Sequence, residues 1–285
     1  MSRYVLTIQS HVAYGFVGNS AAVFPLQLLG FSPIVVNTVE FSNHTGHPTF
    51  HGQVFTAELI RDIILGIRER GLIPKIEGLL SGYLGDASIG KIVLELATEI
   101  KAANPNAVWL CDPVMGDVGR GFFVRPGIPE FMRDRVVPKA DIVTPNHFEL
   151  DFLTGHESHT LDAVIDAAHA LRVRGPETVL VTSVVVDGTA DDELTMLTVT
   201  GEGAWQVVTP RLDRIFTGSG DLTAAMFLAN YLRSGSAAEA VGQTGDIVYS
   251  VLKQTSESGL SELQLVVAQD EIVSPTYHFD VTQVR

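Results

Sequence analysis

The sequence predicts an α/β fold: a mostly parallel central sheet with helices on both faces, a three-layer sandwich. Three observations predict it. Short apolar, strand-like runs alternate with amphipathic helical stretches from the first residues onward. That is the pattern of βαβ units, whose right-handed crossovers place helices on both faces of a sheet. Glycines (Gly30, Gly71, Gly175) close several of the helical stretches, where a left-handed C-cap is favoured. Late in the chain the alternation changes: residues 195–199 and 205–208 flank Gly201-Glu202-Gly203 and read as a β-hairpin.

Each element follows from its local pattern. Residues 4–9 read as a strand, followed by a turn with Gly15 and Gly18 and a helix over 19–29. Residues 33–36 are a short apolar strand. Residues 54–70 carry helical spacing at Phe55, Leu59, Ile63 and Ile67. Residues 76–80 read as a strand, 89–102 as a helix, 107–111 and 141–144 as strands, 161–172 as a helix and 178–182 as a strand. Two long helices, over 220–233 and 237–256, follow the hairpin. No linker rich in Pro, Gly or Ser divides the chain, so one domain over residues 1–285 is the expectation. The least regular segment, 112–127, holds four glycines and two prolines. An irregular stretch between two elements predicts a mobile active-site flap.

Composition narrows the function classes. With 46% hydrophobic and 18% charged residues, the chain can bury a sizeable core. The net charge of −14 argues against general nucleic-acid binding, which needs clustered Lys and Arg. It leaves room for an anionic ligand held by a few local donors. A single cysteine, Cys111, excludes an internal disulfide and reads as a core thiol at the end of a strand. There is no signal-peptide pattern and no apolar run approaching about 18 residues, so a cytoplasmic protein with no membrane partner is expected.

Four motifs carry chemistry. In Thr217-Gly218-Ser219-Gly220-Asp221, two glycines open an apolar helix. Backbone N–H groups at a helix start form an anion site; the alternative is a plain N-cap by Ser219 or Asp221. The helix dipole is expected to lower the Asp221 pKa, leaving a carboxylate that can take a proton from an alcohol. Asp112-Pro113-Val114-Met115-Gly116-Asp117 begins at a strand end, where ligands sit on open α/β sheets. Its two carboxylates suit Mg²⁺. Thr144-Pro145-Asn146-His147-Phe148-Glu149 adds polar groups at the next strand end, and reads equally as a turn with an N-cap. Ser10-His11-Val12-Ala13-Tyr14-Gly15 and Asn43-His44-Thr45-Gly46-His47 follow the first two strands, and Tyr83 the third. His44, His47 and His51 suggest zinc, but they lie on a loop with Gly46 and Pro48 rather than on one helix face. A polar substrate pocket is the better reading.

These residues together resemble the pyridoxal kinase family of the ribokinase-like superfamily. The resemblance runs through Gln9-Ser10-His11-Val12, Gly18-Asn19-Ser20, Phe41-Ser42-Asn43-His44-Thr45-Gly46, Ser81-Gly82-Tyr83, Cys111-Asp112-Pro113-Val114-Met115-Gly116, Thr144-Pro145-Asn146 with Glu149, and Gly218-Ser219-Gly220-Asp221. It covers nearly the whole chain, including the tail motif Val267-Ala268-Gln269-Asp270. It implies a ribokinase-like sandwich that phosphorylates the 5′-hydroxyl of pyridoxal with ATP and Mg²⁺, as a homodimer. By the same resemblance Asp221 is the base, and Gly218 and Gly220 cradle the transferred phosphoryl group. Ser10, Thr45, Gly46, His47 and Tyr83 contact the pyridine ring. Asp112, Asp117 and Glu149 manage the metal. Thr144, Asn146, Thr182, Ser183, Thr209, Pro210, Arg211, Leu212 and Ser219 complete the nucleotide side.

Some positions depart from the family pattern. Ser219 stands where Thr or Val is usual, Thr182 where some bacterial relatives carry lysine, and Phe122 and Phe123 fill the stretch where some dual-specificity relatives carry a flap cysteine. Two other readings stay open: a kinase for another small alcohol, such as a hydroxymethylpyrimidine or a sugar, with the missing flap cysteine arguing against the hydroxymethylpyrimidine, and a non-catalytic pyridoxal carrier, which rests on the missing lysine at Thr182.

Overall fold

The described residues of this computed structural model are 2–285. The chain alternates as expected through β1 (Arg3–Val12), α1 (Asn19–Leu28), β2 (Phe31–Phe41), β3 (Gly52–Val54), α2 (Ala57–Glu69), β4 (Ile76–Ser81), α3 (Ala87–Ala103) and β5 (Val108–Cys111). The flap carries β6 (Gly116–Asp117) and β7 (Gly121–Phe122) and leads to α4 (Ile128–Phe131). Then come β8 (Ile142–Val143), α5 (His147–Thr154), α6 (Leu161–Val173), β9 (Thr178–Val184), β10 (Glu193–Val199) and β11 (Ala204–Pro210). The chain ends with α7 (Ser219–Ser234), α8 (Ala237–Ser258), α9 (Gln269–Val273) and β12 (Val281–Gln283).

Caps set the helix boundaries. Thr56 accepts the Leu59 N–H and starts α2, with Ile60, Ile64 and Ile67 buried at helical spacing. This corrects the sequence-based start at residue 54: Val54 lies in β3, paired with Val39 of β2. Asp86, Thr160 and Ser236 cap α3, α6 and α8 in the same way. Left-handed Gly155, Gly235 and Gly259 end α5, α7 and α8.

Ten strands form one sheet in the order β12-β11-β10-β9-β8-β5-β4-β1-β2-β3. The centre, β9 through β2, is parallel. The β10–β11 hairpin, β12 and β3 pair antiparallel at the two margins. Alternate strand residues feed two cores. On one face Leu6, Ile8, Val179 and Val181 pack with Ile60 and Ile64 of α2, Leu96 of α3 and Leu171 of α6. On the other, Val5 and Leu180 pack with Leu26 of α1, Phe227 of α7 and Val241 and Val251 of α8. Gly78 of β4 lets α7 sit close: a Cβ there would stand 2.9 Å from Leu232 and 3.5 Å from Val5. Among the described residues, no helix is long and apolar enough to cross a membrane.

Candidate active site

The parallel strands all end on one edge of the sheet, and the loops that leave them line a single cavity. Ser10 comes from the end of β1, Thr45 and Gly46 from the loop after β2, Tyr83 from the segment after β4, and Asp112 and Asp117 from the flap. Thr144, Asn146 and Glu149 follow β8, Thr182 lies on β9, and Gly218, Ser219, Gly220 and Asp221 begin α7. The cavity therefore gathers most of the residues the sequence singled out.

The exceptions are informative. His47 is not in the cavity lining; its Nε2 lies 3.0 Å from Glu262 Oε1. Ser183, Thr209, Pro210, Arg211 and Leu212 also lie outside the lining. Ser183 is an exposed, left-handed residue (φ +53°) one position before the buried end of β9. Conversely, the cavity takes in Val17, Phe41, His44, Arg120, Phe123, Ile215 and Phe216, to which the sequence reading gave no role. His44 and Phe41 sat inside a quoted motif; nothing local marks Ile215 or Arg120.

The start of α7 settles one alternative. Its N-cap is Gly218, left-handed at φ +91°, and no side chain caps the helix. The plain-cap reading of Ser219 or Asp221 is thus absent. A side chain at Gly218 would run into the Phe16 carbonyl oxygen, so only glycine lets the loop turn here. The first helical bond is Leu222 N–H to the Gly218 carbonyl at 3.0 Å. The Gly220 and Asp221 N–H groups precede it, as anion-binding amides do. The Ser219 N–H already donates to the Phe216 carbonyl at 3.2 Å.

The Asn146 motif is both cap and site. Asn146 Oδ1 accepts the Glu149 N–H at 2.9 Å and Glu149 Oε2 accepts the Asn146 N–H at 3.0 Å, a capping box. Glu149 Oε1 reaches across to the Met115 and Gly116 N–H groups, 2.6 and 3.3 Å away. Asn146 Nδ2 donates to the Gly116 carbonyl at 2.8 Å. The base of the flap is thereby tied to α5. Farther out, the Phe122 ring meets Phe148 and Phe152 edge-on, with centroids 5.2 and 4.9 Å apart. Val114, inside this segment, has φ +34°, a strained value for a β-branched residue beside a cavity.

Carboxylates dominate the electrostatics. Burial raises Asp112 well above the usual carboxylate range, and the negative charges of Glu149 and Asp221 raise it further. Burial pushes Glu149 up to about 7 against the pull of its backbone N–H donors. Asp221, partly exposed through the cavity mouth but surrounded by protein, is pushed up to about 6, chiefly by desolvation. This reverses the direction expected from the helix dipole: loss of water outweighs the N–H groups of Gly18 and Asp221. Asp221 is still mostly ionised at pH 7. Cys111 is fully buried, and burial pushes its thiol up to about 12, an inert core residue.

A family model described as phosphomethylpyrimidine kinase matches residues 72–265. Pyridoxal kinase PdxY of Rubrobacter xylanophilus is 50% identical, with 98% of this chain and 97% of the relative covered. The same enzyme of Leifsonia xyli subsp. xyli is 48% identical, with 98% and 99% covered. Among solved structures, pyridoxal kinase from Leishmania donovani in complex with ADP and pyridoxine has a TM-score of 0.91 at 32% identity, covering 99% of each chain. Pyridoxal kinase from Entamoeba histolytica has a TM-score of 0.91 at 27% identity, covering 100% of each. With nearly full-length matches in both sequence and fold, the chain belongs to the pyridoxal kinase family.

Proposed function

We propose that this chain transfers the γ-phosphoryl group of ATP to the 5′-hydroxyl of pyridoxal, giving pyridoxal 5′-phosphate for vitamin B6 salvage. One observation carries the reading: Asp221 and the glycine-flanked start of α7 face the same cavity as Ser10, Thr45 and Tyr83. The Asp221 carboxylate accepts the proton as the hydroxyl oxygen attacks phosphorus, and ADP leaves. The Gly218 and Gly220 N–H groups bind the phosphoryl oxygens in flight. Phosphoryl transfer asks mainly for positioning and charge neutralisation, so a carboxylate base is enough. The flap, anchored on α5, closes over the nucleotide and keeps water from competing with the alcohol. Solved relatives from Leishmania donovani, complexes with ADP and pyridoxine and with ADP and pyridoxamine, support both halves of the cavity.

The donor set fits Mg²⁺. Asp112 and Asp117 both line the cavity, and Asp112 is buried near the charges of Glu149 and Asp221. Asp112 and Asp117 would hold the ion, with Glu149, whose oxygens already accept backbone N–H groups, acting through water. Bound Mg²⁺ would neutralise phosphate charge. Thr182 takes the place of a lysine without emptying the wall: its N–H donates to the Pro145 carbonyl at 3.0 Å and it lines the cavity.

The enzyme acts as one kinase domain, in the cytoplasm where ATP is supplied, and as a homodimer. The dimer is tested by light scattering, which should give twice the 30.8 kDa chain mass. The family model's description favours one second reading, a hydroxymethylpyrimidine kinase. Competition separates the two. ADP release driven by pyridoxal, and weakly inhibited by hydroxymethylpyrimidine, supports the B6 reading. Preferential turnover of hydroxymethylpyrimidine overturns it, and pyridoxal binding without ADP release shows a carrier.

A further inference from the structure

The loop after β2 and the segment after α8 meet in a cluster that phosphoryl transfer does not use. His44 and His47 are joined by a turn, with the His47 N–H donating to the His44 carbonyl at 3.2 Å. The two rings therefore stack at a tilt, centroids 4.2 Å apart. Both Nε2 atoms point at one oxygen of Glu262, 215 or more residues away: Oε1 lies 3.0 Å from His47 and 3.3 Å from His44. The Glu262 side chain is 6% exposed, and its other oxygen, Oε2, is buried with no hydrogen-bond partner. A buried carboxylate is ordinarily satisfied at both oxygens, so half of its bonding capacity is left unused here.

We propose that His44, His47 and Glu262 form a binding site for a divalent transition-metal ion such as Zn²⁺, separate from the Mg²⁺ position at Asp112 and Asp117. Two imidazoles and a carboxylate are a known zinc-binding set. A tetrahedral ion with bonds of about 2.0–2.2 Å spaces its donor atoms roughly 3.4 Å apart. The two N···O separations are already close to that, and all three donor atoms lie within 4.8 Å of one another. Among the described residues this is the group of three His, Cys, Asp or Glu side chains with such spacing. The fourth position would be open to water, since His47 is partly exposed and His44 lines the cavity. Burial lowers the His44 pKa, which favours the neutral ring that a metal requires.

The loop geometry supports preorganisation and also opposes the ion. Asn43 Nδ2 donates to the His44 and Thr49 carbonyls at 3.2 and 2.9 Å, and the Ser42 N–H to the His51 carbonyl at 2.7 Å, so the loop holds its shape through its own bonds. Against the ion stand two groups. The Gly46 N–H donates to His44 Nδ1 at 3.2 Å, and a metal on Nε2 moves the ring proton to Nδ1 and breaks that bond. Arg120 of the flap adds a positive charge nearby. Zinc must therefore replace the two His–Glu262 hydrogen bonds as well as the Gly46 bond, and tolerate one cation. His51, the third histidine that the sequence offered, is exposed and takes no part in the group.

The test uses the full chain with metal alone, without nucleotide or pyridoxal, so its result is independent of the kinase reading. Co²⁺ is added to wild type, Glu262→Gln and His47→Asn, and the visible d–d absorption of tetrahedral Co²⁺ is recorded. Zn²⁺ stoichiometry and thermal midpoint are measured in parallel. The expected result is one equivalent of Zn²⁺ per chain at this site, a tetrahedral Co²⁺ band that Zn²⁺ displaces, and a rise in Tm on zinc addition. In both variants the equivalent, the band and the rise are lost, and Mg²⁺ reproduces none of them. Equal zinc uptake in all three proteins, or no tetrahedral band in wild type, overturns the proposal. Should both variants fail to fold, the wild-type cobalt band decides alone: its presence supports the site and its absence overturns it.

Discussion

At the residue scale, Asp221 shows why a motif does not by itself give an electrostatic state. The sequence places an acid at a helix start, and the helix dipole alone would make it stronger. The structure makes it weaker, about 6, because the cavity walls remove water. Glu149, on another wall of the cavity, is shifted up to about 7 for the same reason. Both carboxyls hold protons more tightly in the folded chain than in the unfolded one, so folding is favoured where they are protonated. The sign follows: their contribution is full below the unfolded carboxyl value of about 4, falls as pH rises to about 6 for Asp221 and about 7 for Glu149, and levels off above. The metal-free protein should therefore lose Tm between about pH 4 and about pH 7, and Asp221→Asn should flatten the part of that slope below about pH 6. An identical slope in the variant would show that Asp221 is not shifted. Catalysis runs the other way, since the base must be ionised: turnover should fall as pH drops through about 6. Glu262 marks the limit of local reading. Nothing near it in sequence reveals its meeting with His44 and His47, because the contact spans the whole chain.

At the element scale, the proposed function rests on the start of α7 and on the segment 112–127 expected to act as a flap. Gly218 is needed both for its left-handed φ of +91° and because a side chain would meet the Phe16 carbonyl. Gly218→Ala should cost about 1–3 kcal/mol from backbone strain alone and abolish turnover, measured by urea unfolding and ADP release. Full activity at unchanged stability would contradict the geometry. The flap is fastened to α5 through Phe122, packed against Phe148 and Phe152. Phe122→Ala should loosen it, raising the KM for ATP and the pyridoxal-independent hydrolysis of ATP. Unchanged hydrolysis in that variant would remove the flap from water exclusion. The sequence showed the flap as an irregular, glycine-rich stretch, yet not the short β6–β7 pairing or the aromatic anchor, both of which depend on residues from other elements.

At the scale of the whole molecule, the alternation of strands and helices was legible because each internal strand is an apolar run and each helix carries its own buried stripe. The order of motifs along the chain also gave the site: successive strand ends must lie on one edge of a parallel sheet. What stayed hidden lies at the margins. β3 and β12 are three residues each, defined by pairing with β2 and β11 rather than by any pattern of their own. Likewise, Thr209 and Pro210 end β11 and Arg211 and Leu212 follow it, all outside the cavity lining. A dimer of 30.8 kDa chains is the expectation for the assembled enzyme, and a purely monomeric mass would correct it.

The most direct test of the account is ADP release with Mg-ATP and pyridoxal by wild type and Asp221→Ala, with pyridoxal binding measured in both. The account predicts pyridoxal-dependent turnover in wild type, reduced by about 10²–10⁴-fold in the variant, with binding retained. Equal turnover in the two proteins would remove Asp221 from the mechanism, and no turnover in a wild type that still binds pyridoxal would contradict the kinase itself.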